Sequence, residues 1–143
     1  MKIAFWLYFL AGLLWVGFGI VYMSRGEFMP YHSVAVGMPW DAVPPKFQVL
    51  ILALMKIYGG TCIALALMNY IVLLVPFRQG SNWTLWALPL CALLQIAALV
   101  YAMRLVAINT AANPPFWSAA IGAILIVIAF VLSLSGRTIR AKA

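Results

Sequence analysis

Lys56 and Arg104 are the two cations that fall inside long apolar runs of this chain, and Glu27 and Asp41 are its only acids. A charge within an apolar run is expensive in a bilayer, so it faces a bundle interior, reaches the interface or meets a partner. Both acids lie in the connection between residues 24 and 46, together with Tyr31 and His32, and Gln48 follows just beyond it. The pattern predicts one polar cluster: Lys56 and Arg104 from helices, Glu27 or Asp41 opposite them, with His32, Tyr31 and Gln48 nearby. Such a cluster suits the binding of a polar head group or the attraction of an anion. It does not suit catalysis, because no nucleophile–base pair or two-carboxylate constellation falls within the apolar runs.

His32 is the single histidine. Alone it cannot hold a metal, and no spacing enforces carboxylate or thiolate partners around it. A structural or proton-linked role beside a loop carboxylate is the stronger reading. Cys62 and Cys91 both lie in apolar runs and form no CxxC pattern. They read as small buried apolar side chains. The sequence therefore predicts no catalytic residue, no metal site and no cofactor.

The elements that must position the cluster are four apolar runs: Ile3 to Met23, Phe47 to Val75, Trp83 to Ile108 and Phe116 to Leu134. Each reaches the roughly 18–20 residues that a helix needs to cross a bilayer. The expected fold is all-α, a four-transmembrane-helix bundle with a short surface helix or ordered loop between spans 1 and 2. The whole chain, residues 1–143, reads as one integral membrane domain. Hydrophobic residues make up 67% and charged residues 8%, far below the roughly 25% charged of soluble domains. The net charge of +7 does not point to nucleic acid, since the basic residues are scattered and no aromatic-interleaved basic patch exists.

Lys2, Arg78, Arg137, Arg140 and Lys142 fall on one side of the spans with no acid, while Arg25, Lys46 and both acids fall on the other. That asymmetry predicts cytoplasmic termini. Trp6, Tyr8, Tyr22, Trp83, Trp86 and Trp117 lie near span ends and suit interfacial belts. Helical side chains lean toward their own N-terminus. Lys56 then leans outward and can snorkel, whereas Arg104 leans back toward the midplane and needs an acid more. Gln95 lies half a turn out of phase with Arg104, nine residues on, and reads as an interhelical hydrogen bonder.

Helix contacts should run through small residues: Gly59, Gly60 and Ala64 in the second span, with Gly60 and Ala64 in a small-xxx-small step, and in the fourth Ser118 with Gly122 and Ala119 with Ala123. These steps suit packing inside one bundle or between subunits, which leaves a homo-oligomer or a partner membrane protein open beside membrane lipids. Pro89 removes one helical hydrogen bond and should bend the third span. Between spans 1 and 2, Pro30 can open and Gly37 close a two-turn helix. Phe28, Met29, Tyr31 and Trp40 should pack on the bundle, since together in water they would form a large apolar patch.

The segments Met29-Pro30-Tyr31-His32, Leu54-Met55-Lys56-Ile57-Tyr58-Gly59-Gly60 and Val75-Pro76-Phe77-Arg78-Gln79-Gly80 resemble those of uncharacterised small bacterial inner-membrane proteins. More distantly, the basic–x–x–Gly-Gly step of the second span resembles DoxX-like four-span families. The resemblance implies a multi-pass bundle in a bacterial inner membrane and assigns no catalytic residue. The expected function is non-enzymatic binding of a small or lipid-like ligand, or a partner protein, at an outer-leaflet pocket under the 24–46 loop. The alternative is a small transporter or channel for an anionic solute, with Lys56 and Arg104 attracting charge.

Overall fold

Each apolar run becomes one helix. In this computed structural model the backbone is described for residues 2–142 and the side chains for residues 2–136. Helix α1 is Lys2–Ser24, the short α2 is Pro30–Val36, α3 is Pro45–Val72, α4 is Thr84–Asn109 and α5 is Phe116–Lys142. Four of them are long and apolar enough to cross a membrane, which fits a multi-pass membrane protein. Large apolar side chains such as Val49, Leu94 and Trp117 remain exposed along these helices, as lipid-facing residues must be in a bilayer. The side chains of Arg137, Arg140 and Lys142, part of the expected cytoplasmic charge, lie outside the described residues.

The short helix forms where its punctuation requires. Pro30 occupies the first turn, where a missing N–H costs nothing. Gly37 ends the helix at φ 77° and donates its N–H to Ser33 O, a left-handed cap that glycine adopts without a Cβ penalty. Phe28 is buried with Val43 and Met55, and Trp40, Tyr22 and Ile51 pack around them. This satellite cluster ties the loop to the tops of α1 and α3. The chain thus has a loop end, under α2, and a termini end, where α1 starts and α5 finishes.

α1 is the hub, packing chiefly on α3 and α5, while α4 lies on α5 and touches α3 sparingly. The tight crossing is Gly19 against Gly59. A Cβ on Gly59 would come within 2.9 Å of Gly19 O, and one on Gly19 within 2.9 Å of Gly59 O. The expected Gly60–Ala64 step is not this contact, because Gly60 faces open space and Ala64 is exposed. Without a hydrophobic drive between helices in lipid, close backbone approach at glycine is what holds such a pair.

Two prolines differ in effect. α4 runs on through the buried Pro89 as one continuous helix. Pro76 instead sits in a single wide π-helical turn, Leu73–Phe77, that extends α3. A proline ring clashes with the carbonyl four residues back, here Val72, and a widened turn relieves that clash. The turn closes with Ser81 N–H donating to Pro76 O at 2.9 Å. Trp6, Trp83, Trp86 and Trp117 are exposed near helix ends, as interfacial residues are, but Tyr8 is buried and Tyr22 half-buried. These two tyrosines turn inward rather than joining a belt. Of the cysteines, Cys62 is buried but Cys91 is exposed.

Candidate functional site

Under α2, at the loop end, the helices enclose a cavity of about 300 Å³. Its polar lining is Tyr22 from α1, Tyr31 and His32 from α2, Tyr58 from α3 and Gln95 from α4. Ala98, Leu99, Ala102, Met103 and Val106 form an apolar wall along α4. Ala98 and Ala102 are exposed, so the cavity opens sideways along α4, a helix that touches α3 only sparingly.

The glycine crossing builds the tyrosine group. Tyr22 lies one turn past Gly19, and Tyr58 immediately precedes Gly59, so closing that crossing brings the two rings to 4.7 Å, edge to face. Tyr22 and Tyr31 share a hydroxyl–hydroxyl hydrogen bond of 3.2 Å. Burial, that bond and the Tyr22 hydroxyl beside it hold the Tyr31 phenol above its ordinary range. It therefore stays neutral. Tyr58 Oη is buried with no hydrogen-bond partner. The Cys62 thiol interacts with it but not in bonding geometry, and a thiol is a weak partner.

His32 is placed by its own helix. Its Nδ1 accepts the Met29 N–H at 3.3 Å, so the neutral ring carries its proton on Nε2. Tyr31 packs against the imidazole at 4.2 Å and Phe28 at 6.4 Å. Burial lowers the His32 pKa, which keeps the ring uncharged at neutral pH. The cavity therefore presents neutral donors and acceptors (phenols, an imidazole, a carboxamide) and no formal charge. Among the described residues, no three His, Cys, Asp or Glu side chains converge to hold a metal.

The remaining members of the expected cluster lie elsewhere. Lys56 does not line the cavity, and its side chain reaches outward, the direction expected from its lean, to the end of α1. Its Nζ donates to Met23 O and, at 2.6 Å, to Arg25 O. The last carbonyls of a helix lack intrahelical partners and carry the negative end of its dipole. α1 has no basic residue in its last turn, so Lys56 supplies that charge from α3. Glu27 pairs with Arg25 at 3.5 Å rather than with Arg104. Arg104 is exposed and forms no ion pair with Glu27 or Asp41. The expected pairing fails because the loop supplies its own cation, two residues from the acid. Asp41 sits exposed in a 3₁₀ turn over Trp40–Ala42. Gln48 Nε2 donates to Trp40 O at 2.9 Å and pins that turn.

Of the seven residues expected at the site, Tyr31 and His32 line the cavity, whereas Lys56, Arg104, Glu27, Asp41 and Gln48 do not. Tyr22, Tyr58 and Gln95 take their place. Gln95 makes no side-chain hydrogen bond among the described residues, so the interhelical bond expected of it is replaced by a position on the cavity wall. A signal for the tyrosines was present in their spacing from Gly19 and Gly59, although nothing in the sequence pairs those two glycines. No family model, curated protein or solved structure matches the chain, so the site is read from its own geometry.

Proposed function

We propose that this chain is a non-enzymatic, multi-pass protein of a bacterial inner membrane, with cytoplasmic termini, that binds a neutral lipid-like ligand in the loop-end cavity. The observation that carries this reading is the uncharged cavity itself, whose polar lining is Tyr22, Tyr31, His32, Tyr58 and Gln95 and whose apolar wall runs along α4. The Tyr58 hydroxyl is buried beside the cavity without a hydrogen-bond partner. Such a group costs about 1–3 kcal/mol, and a small shift of the side chain into the cavity would let a ligand carbonyl or hydroxyl recover much of it. The sideways opening favours a ligand arriving through lipid, with its chain along Ala98 and Ala102. The orientation rests on the bias of basic residues toward the termini side. The resemblance to small inner-membrane proteins supports the setting.

The anion-transport reading has weaker support. Lys56 is engaged by Met23 O of α1 and Arg25 O just beyond it, and neither it nor Arg104 lines the cavity. The test is photo-crosslinking in nanodiscs with diazirine-bearing long-chain alcohol, monoacylglycerol and fatty-acid probes. The neutral probes should label α4 between Gln95 and Val106, and Tyr58→Phe should weaken that labelling about fivefold, the equivalent of about 1 kcal/mol. Preferential labelling by the ionised fatty acid, or labelling indifferent to Tyr58→Phe, would reject the proposal.

A further inference from the structure

A second, larger cavity of about 610 Å³ lies at the termini end, and its chemistry is the opposite of the first. Two cations line it, Lys2 at the start of α1 and Arg78 directly after the π turn. Both are exposed, and neither side chain makes a hydrogen bond or ion pair among the described residues. No Asp or Glu side chain serves them among the described residues. Glu27 and Asp41 are the only ones, and both belong to the loop end. The positive end of the α1 dipole adds to the same field.

The rest of the lining is apolar and aromatic. Phe5, Trp6 and Phe9 form one ring cluster, with Trp6 5.4 Å from Phe5 and 5.5 Å from Phe9. Leu74 and Phe77 face them from the end of α3. Trp6 is 58% exposed, as an interfacial tryptophan is. The cavity volume falls within the range of about 300–1,000 Å³ typical of small-ligand sites.

We infer that this cavity is a binding site for one anionic phospholipid of the leaflet on the termini side. Its phosphate lies between Lys2 and Arg78, and an acyl chain runs along Phe5, Phe9 and Leu74. A free inorganic anion would use the two cations and leave the aromatic wall idle. A zwitterionic lipid would bring its own cation into a site that holds no acid. Basic pockets between spans at a membrane surface are where anionic head groups bind, and each Lys or Arg near such a surface contributes about 1 kcal/mol, or about fivefold in affinity.

The test is native mass spectrometry of the full chain released from mixed nanodiscs of phosphatidylglycerol and phosphatidylcholine, with helix content checked by circular dichroism. One phosphatidylglycerol should be retained over phosphatidylcholine by about tenfold or more. Lys2→Gln and Arg78→Gln should each reduce that preference about fivefold, and Lys46→Gln, a cation of the other end, should leave it unchanged. Leu74→Trp fills the cavity while keeping both cations, and should also abolish retention. Equal retention of the two lipids by the wild-type chain overturns the inference without any variant. So does a preference that survives Leu74→Trp, which would reflect general surface charge, and so does inorganic phosphate binding as tightly as the lipid.

Discussion

The two ends of this bundle carry similar residue types and treat charge in opposite ways. At the loop end two of the four cations are engaged internally: Lys56 donates to Met23 O and Arg25 O at the end of α1, and Arg25 pairs with Glu27. Lys46 and Arg104 are exposed and do not line the cavity. What remains open there is a neutral cavity walled by tyrosines. At the termini end Lys2 and Arg78 have no partner among the described residues and stand over an aromatic cavity. An intramembrane cation therefore does not by itself mark a ligand site. Its meaning depends on whether a helix end or an acid of the same chain reaches it first.

The sharpest way to break this comparison is at Lys56. Lys56→Met removes the charge from the α1 carbonyls and should cost about 2–3 kcal/mol, the scale for hydrogen bonds to charged groups. Thermal unfolding in detergent reads this directly. Arg104→Ala should stay within about 0.5 kcal/mol, as exposed substitutions usually do. This order is the reverse of that expected from side-chain lean. A larger loss at Arg104 than at Lys56 would restore the polar cluster predicted from the sequence.

A somewhat smaller effect tests the crossing that assembles the tyrosines. Gly59→Ala places a Cβ 2.9 Å from Gly19 O and 3.0 Å from Met23 N. Backbone cannot yield as a side chain can, so the change should cost about 1–3 kcal/mol. Gly60→Ala meets nothing within 4 Å and should be neutral or mildly stabilising, since alanine favours helix over glycine by about 1 kcal/mol. Equal losses at the two positions would mean that the crossing is not the contact that matters.

The smallest expected effect is the pH dependence of the loop end. Burial lowers the His32 pKa below its ordinary value of 6.5. Between the lowered and the ordinary value the unfolded chain binds more protons than the folded one, so stability rises with pH in that window. The contribution is complete above about 6.5 and declines as pH falls below it. His32→Gln should flatten the dependence of melting temperature on pH below about 6.5. A slope of opposite sign that vanishes in the variant would mean that His32 gains an anionic partner. Neutral-probe labelling should follow the same profile, while lipid retention at the termini end should not.

Much of the fold was legible in the sequence, because its signals are local. Run length sets the number of spans, and Pro30 with Gly37 sets the ends of α2. These depend on backbone chemistry over a few residues and need no knowledge of neighbours. The π turn at Pro76 was less legible, since Pro89 carries the same chemistry and leaves α4 unbroken. Of the site, Tyr31 and His32 could be read because an apolar connection rich in aromatic residues must pack on something.

The tertiary structure alone decided the charges and the cavity. Lys56 finds Arg25 O across 31 residues, and Tyr22 finds Tyr58 only because Gly19 meets Gly59. Lean and periodicity fix which side of a helix a residue occupies, but not how far each helix is rotated toward its neighbours. That rotation is set by close packing between backbones, a pairwise property of two helices. The sequence of either helix alone does not contain it.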